Sequence, residues 1–159
     1  MLFRHIVSTL AECRIAADKL VLGIPTFGRA WKVRNDTGEP PLSADGPGDA
    51  GPLTKVRGLL AYPEICNNLT TASSSSCTMT VVRSGHRQTS VHAYCPASSR
   101  WVSFDDPEMA GYKATYALSM GLGGVQVVDM SLDDFGDLCR DGPYPILREV
   151  HCSLQGGTC

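Results

Sequence analysis

Apolar residues Phe3, Ile6, Val7 and Leu10 recur at the spacing of one helix face, which predicts an amphipathic helix from residue 3 to about 16, with Asp18 and Lys19 in the turn after it. Leu20 to Ile24 is apolar without polar alternation, the pattern of a strand covered on both faces in a parallel sheet, and Pro25 stops it. Phe27, Gly28 and Arg29 then read as a loop at the carboxyl end of that strand, where α/β folds hold their ligands. Helix, turn and buried strand together form the αβ half of a βαβ repeat.

From Trp31 to Gly58 the pattern dissolves into Gly, Pro, Asp and Ser, and the turn signals at 38–41 and 45–52 predict a long functional loop or an inserted module. Leu59 to Tyr62 is apolar again, followed by a short helical turn at Pro63 to Cys66 that ends at Asn67 and Asn68, and the Ser73–Ser76 run reads as an exposed loop. Three strands are predicted at 78–83, 90–94 and 101–104, with turns at Ser84-Gly85 and Pro96–Ser99. Antiparallel pairing of the first two would bring Cys77 and Cys95 together, and a disulfide is expected there. Asp106 as N-cap, Pro107 at the first helical position and Glu108 in the first turn open a second helix, with Met109, Tyr112, Tyr116 and Met120 on its apolar side and Gly121 at its end. Val125 to Met130 reads as a second buried strand, with Ser131 to Phe135 at its carboxyl end. A short helix near 144–150 follows, then a linker-like tail from His151 to Cys159.

Composition narrows the classes. A chain of 159 residues suits one domain but is too short for a complete (β/α)8 barrel, which takes at least about 200. A net charge of −2 leaves no basic footprint for nucleic acid or anionic membranes, and no apolar run is long enough to span a bilayer. Seven cysteines with no CxxC and no Cys/His cluster at zinc spacing point to disulfides in an oxidising compartment rather than to a metal, and no cofactor motif is present. The sequons at Asn35 and Asn68 agree with an extracellular setting. The amino terminus lacks a signal peptide, and a secretory composition without one suggests an incomplete chain.

The segments KLVLGIPTFGRAW (19–31), GPGDAGPLTK (46–55), GLLAYPEIC (58–66), RWVSFDDPE (100–108), GLGGVQVVDMSLDDF (121–135) and YPIL (144–147) carry a resemblance, in order and spacing, to the carboxyl-terminal part of family-18 glycoside hydrolases, the chitinases and chitinase-like proteins. The resemblance implies an α/β fold: a carboxyl-terminal fragment of a TIM (β/α)8 barrel, with strands seven and eight in residues 1–30 and 105–150, an α+β chitinase insertion domain in 31–104, and a tail or linker in 151–159. It implies a Cys66–Cys139 disulfide, leaves Cys13 free and buried, and assigns Cys152 and Cys159 to whatever follows the barrel.

Family-18 enzymes cleave β-1,4-linked N-acetylglucosamine polymers by a substrate-assisted retaining route, with a glutamic acid at the end of a DxxDxDxE motif protonating the leaving oxygen. That motif is absent here. Asp129, Asp133 and Asp134 lie in the strand-eight segment at the wrong spacing, and their expected role is capping and loop hydrogen bonding. The resemblance puts Phe27, Arg29, Leu59 and Val128 at substrate-binding positions, three of the neighbouring assignments being altered: Phe27 stands where the family usually has Tyr, Val128 where it has the Trp beneath the sugar, and Val56, beside Arg57, where it has an acidic contact. Arg29 is retained, for a sugar hydroxyl or for a salt bridge inside the insertion. Trp31, Tyr62, Tyr94 and Trp101 either line a carbohydrate groove or fill the insertion's core. The expected partner is chitin or its oligosaccharides, met by part of a chitinase-like protein that is inactive as this chain alone, or by a non-catalytic chitin-oligosaccharide lectin. A third reading is a truncated product without independent activity, its two barrel strands exposing edges that six others would cover.

Overall fold

The computed structural model describes residues 2–34, 43–70, 77–84 and 87–157. Helix α1 (Leu2–Glu12) leads through a single 3-10 turn into β1 (Val21–Pro25). The chain then enters β2 (Phe27–Val33), β3 (Ala44–Pro47) and β4 (Leu59–Ala61), the last running directly into helix α2 (Tyr62–Thr70). Strands β5 (Thr78–Ser84), β6 (Arg87–Cys95) and β7 (Arg100–Phe104) are followed by α3 (Pro107–Ser119), β8 (Gly124–Val128) and α4 (Pro145–Leu154).

These strands form two sheets. β1 and β8 pair in parallel, from Val21 opposite Gly124 to Pro25 opposite Val128. The second sheet is antiparallel, in the order β3-β2-β7-β6-β5, with β4 sharing the β3 edge of β2. Its core face carries Ala30, Leu60, Val91, Ala93, Val102 and Phe104, packed in one cluster with Ile65 of α2 and Met109, Ala110 and Ala114 of α3. Strand alternation made β5, β6 and β7 legible, and the observed strands contain the three predicted ones. Among the described residues no helix is long and apolar enough to cross a membrane.

Several expectations change. Helix α1 ends at Glu12, four residues early, because Arg14 takes a positive φ of 62°. Val21 in β1 is 58% exposed and Val128 in β8 is 37% exposed, so neither strand is covered on both faces: among the described residues two strands form this sheet, and one edge of each is open. Phe27, Gly28 and Arg29 are not a loop but the start of β2. Gly28 is small for packing rather than for turning, since a Cβ there would stand 2.6 Å from both Ile65 Cδ1 and Val102 Cγ2. Part of the expected 31–58 loop is therefore sheet, including β3, whose Ala-Asp-Gly-Pro has no strand pattern and is held by pairing with Trp31–Val33. Helix α2 continues through Asn67 and Asn68 to Thr70. The Ser73–Ser76 run, Gly85 and Asn35 lie outside the described residues, as does the Asn68 side chain.

Asp106 caps α3 as expected, its carboxylate accepting from Met109 N at 2.8 Å, and Gly121 follows the helix at φ 62°. The buried face of α3 is made by Met109, Ala110, Gly111, Ala114, Tyr116 and Ala117, while Met120 is exposed. Small residues there let α4 approach closely. Residues 151–154 continue α4 rather than forming a linker, with Ser153 buried and hydrogen-bonded to Glu149. Disulfides join Cys66 to Cys139 and Cys77 to Cys95, Cys152 is disulfide-bonded, and Cys13 is free but exposed, on the turn after α1, rather than buried.

Candidate functional site

The two sheets meet at Thr26. This residue is fully buried between β1 and β2; its N–H donates to Val128 O at 2.9 Å and its hydroxyl donates to Asp129 O at 2.5 Å. Tyr62 N in turn donates to Thr26 O at 3.1 Å, so one residue ties the ends of both parallel strands to the start of α2. The Val128–Asp129 peptide beside it is cis.

Three of the four predicted contact positions lie on one short stretch of sheet next to this knot. Phe27 opens β2; two residues on, the Arg29 guanidinium lies over the Phe27 ring, 5.2 Å from its centroid, within reach of a cation–π attraction. Leu59 is the cross-strand partner of Arg29 on β4. Val128 lies across the knot, bonded through its carbonyl to Thr26. Arg29 forms no ion pair among the described residues. Val56 and Arg57 sit on the adjoining turn, Val56 exposed and Arg57 touching Pro47 O at 3.5 Å.

Glu64 builds that turn, and sequence reasoning passed over it. Glu64 is 4% exposed, and its carboxylate accepts from Leu53 N at 2.6 Å, Thr54 N at 3.2 Å and Ala61 N at 2.8 Å. The available signal was half of a capping box: Glu at the third helical position reaching back to the N–H of the residue before the helix. Thr54 adds a hydroxyl bond to Leu59 O at 2.9 Å, so the loop is fixed just where it presents Leu59 to Arg29.

The other buried carboxylates are also occupied by structure. Asp133 accepts from Leu147 N at 2.9 Å and from Asp134 N at 2.9 Å, and Asp134 accepts from Leu138 N at 3.0 Å and Cys139 N at 2.7 Å. Asp129 caps the following 3-10 turn through Ser131 N. Asp105 pairs with Lys113 at 2.5 Å; burial raises its pKa above the usual carboxylate value, and the lysine opposes that by charge and hydrogen bonding. Tyr62 is buried against Phe104 and is core rather than groove; burial, reinforced by the carboxylates of Asp106, Asp141, Asp133 and Asp134, pushes its hydroxyl pKa well above the usual tyrosine value. Cys66, Asp134 and Cys139 also bring possible metal-ligand atoms together, but the two sulfurs are bonded to each other. The arrangement at 27–29, 59 and 128 therefore offers one cation with no ion pair among the described residues, one aromatic ring and apolar side chains. That set can hold a neutral polar ligand by stacking and hydrogen bonding.

The comparisons with known proteins agree on the family. Residues 4–133 match the glycosyl hydrolases family 18, and the chain belongs to that family. Chitinase-like protein Idgf4 of Glossina morsitans morsitans is 39% identical over 153 residues, covering 87% of this chain and 34% of that relative. Chitinase-like protein EN03 of Bombyx mori is 42% identical over 125 residues, covering 74% of this chain and 29% of its own length. The chain thus spans about a third of the length of these curated relatives. Among solved structures, human YKL-39, described as a pseudo-chitinase with retained chitooligosaccharide binding properties, superposes with a TM-score of 0.82 at 31% identity, over 94% of this chain and 38% of that one. Catalytic domain 2 of the Ostrinia furnacalis group II chitinase gives 0.81 at 31% identity, over 96% and 39%. The fold is α/β and similar to these family-18 structures.

Proposed function

We propose that this chain is the last quarter of a TIM barrel with its insertion domain, and that it supplies one wall of a chitooligosaccharide-binding cleft in a chitinase-like protein that does not itself cut the sugar. In this reading β1 and β8 are barrel strands seven and eight, the antiparallel sheet with α2 is the insertion, and Phe27, Arg29, Leu59 and Val128 face the ligand. The observation that carries it is the gathering of Arg29, in no ion pair among the described residues, over Phe27 and beside Leu59, while Glu64, Asp133, Asp134 and Asp105 are each committed to backbone N–H groups or to Lys113. Valine at 128 offers no flat π-face for a pyranose, which favours holding the sugar over distorting it. Disulfide pairing supports an extracellular setting.

The purified chain incubated with a fluorogenic chitobioside tests the catalytic half of this reading: no release of fluorophore is expected, and turnover above the blank contradicts it. The second reading, an active chitinase whose acid comes from the rest of the protein, is favoured by the equally close superposition on the Ostrinia chitinase domain. A DxxDxDxE motif upstream in the transcript would establish that reading over the lectin.

A further inference from the structure

The antiparallel sheet has a second face, opposite the core, that the cleft reading uses only at its edge. Arg29 is in register with Ser103 of β7, and Ser103 with His92 of β6. The next row on the same face, two residues along each strand, is Trp31 opposite Trp101 and Trp101 opposite Tyr94. Adjacent strands stand about 4.8 Å apart, comparable to the length of one pyranose ring. Trp31 is 43% exposed. Trp101 is half-buried, and the His92 ring stacks against it at 5.4 Å with an interplanar angle of 32°.

Two buried polar atoms on this face, one in each row, have no hydrogen-bond partner among the described residues. His92 is 4% exposed, and neither its Nε2 nor Trp101 Nε1 has a hydrogen-bond partner among the described residues. Buried donors and acceptors in folded proteins are almost always satisfied, so two orphans in stacked rings mark a place where a polar ligand completes the bonding. Aromatic faces with an indole N–H beside them suit one ligand chemistry well. A pyranose presents a flat C–H face to a ring and, if it is N-acetylated, a carbonyl oxygen to an N–H donor. The row is neutral and continuous with Arg29, which agrees with an uncharged sugar chain running from the Arg29 position along the sheet.

We propose that Trp31, Trp101 and Tyr94 form a second saccharide-binding row, on which successive units of a β-1,4-linked N-acetylglucosamine oligomer stack after leaving Arg29. This rests on the cleft reading above and extends it along β2, β7 and β6. Both tryptophans of the chain lie on this face, so intrinsic fluorescence of the intact protein titrated with chitobiose and with chitohexaose reads the row directly. The hexaose is expected to bind more tightly than the biose and to shift the emission. Trp31→Ala, at a half-exposed site, is expected to retain the native melting temperature and to lose the gain from biose to hexaose, weakening the hexaose about tenfold. Trp31→Phe keeps a ring and restores most of that gain, and Arg29→Ala weakens both sugars. If Trp31→Ala keeps the full length advantage while Arg29→Ala weakens both sugars, the row is overturned and the cleft reading stands. If the intact chain binds neither sugar, both fall together.

Discussion

At the scale of single residues, the site depends most on Glu64, which touches no proposed ligand. One buried carboxylate holds two backbone N–H groups of the loop that presents Leu59 and a third at the end of β4. Glu64→Ala leaves those donors unsatisfied, and a loss of about 3 kcal/mol or more in stability is expected by urea unfolding, with faster amide exchange at Leu53, Thr54 and Ala61. Gly51→Ala should reproduce the exchange effect, because its Cβ would fall 2.1 Å from Glu64 Oε1. Asp105 makes a different kind of prediction. Its pKa in the fold lies above its ordinary 3.8, chiefly through burial, so its contribution to stability is fully present below pH 3.8 and is lost as pH rises through the raised value. The stability of the native chain relative to Asp105→Asn is therefore expected to decline as pH increases from 3.8 through that window. A difference that grew with pH would mean that Lys113 outweighs burial.

At the scale of elements, the two described disulfides differ in the loop each closes. Cys66–Cys139 spans 73 residues and Cys77–Cys95 spans 18. In the chain-entropy model the first stabilises by about 4 kcal/mol and the second by about 3 kcal/mol. Replacing each pair by alanines should lower the denaturant midpoint in that order; a larger loss for the short loop would show that native packing, not loop closure, sets the difference. What the sequence disclosed at this scale follows from where local rules act alone. The start of α3 was legible because Asp106, Pro107 and Glu108 each favour it for separate reasons, and β5 to β7 because one side of the sheet is apolar. β3 was not legible: Ala44-Asp45-Gly46-Pro47 has no pattern, and only its partner β2 makes it a strand. Phe27–Arg29 was misread because glycine signals a turn unless a neighbour, here Ile65 and Val102, already fills the space a Cβ would need. Of the candidate site, Phe27, Arg29, Leu59 and Val128 were named from the resemblance, but their grouping around Thr26 depends on contacts between residues a hundred positions apart, which periodicity cannot reveal.

For the whole molecule, two sheets of different kind share one core, and the proposed saccharide wall lies at their junction. The parallel pair is the less finished part. Val21 and Val128 are exposed, and among the described residues β1 and β8 each leave an edge unpaired. Unpaired edges beside apolar side chains favour association, so the isolated chain is expected to show concentration-dependent self-association by size-exclusion chromatography, suppressed by Val21→Lys on β1; a strictly monomeric elution would argue that this pair is self-sufficient. The proposed function is that the junction binds chitooligosaccharide without cutting it. A ¹H–¹⁵N titration of the 159-residue chain with chitotetraose, followed by chromatography of the sugar, tests both halves at once. Amide shifts centred on Phe27, Arg29, Leu59 and Val128 are expected, with the tetraose recovered intact. An unchanged spectrum at saturating sugar, or the appearance of shorter oligomers, would contradict it.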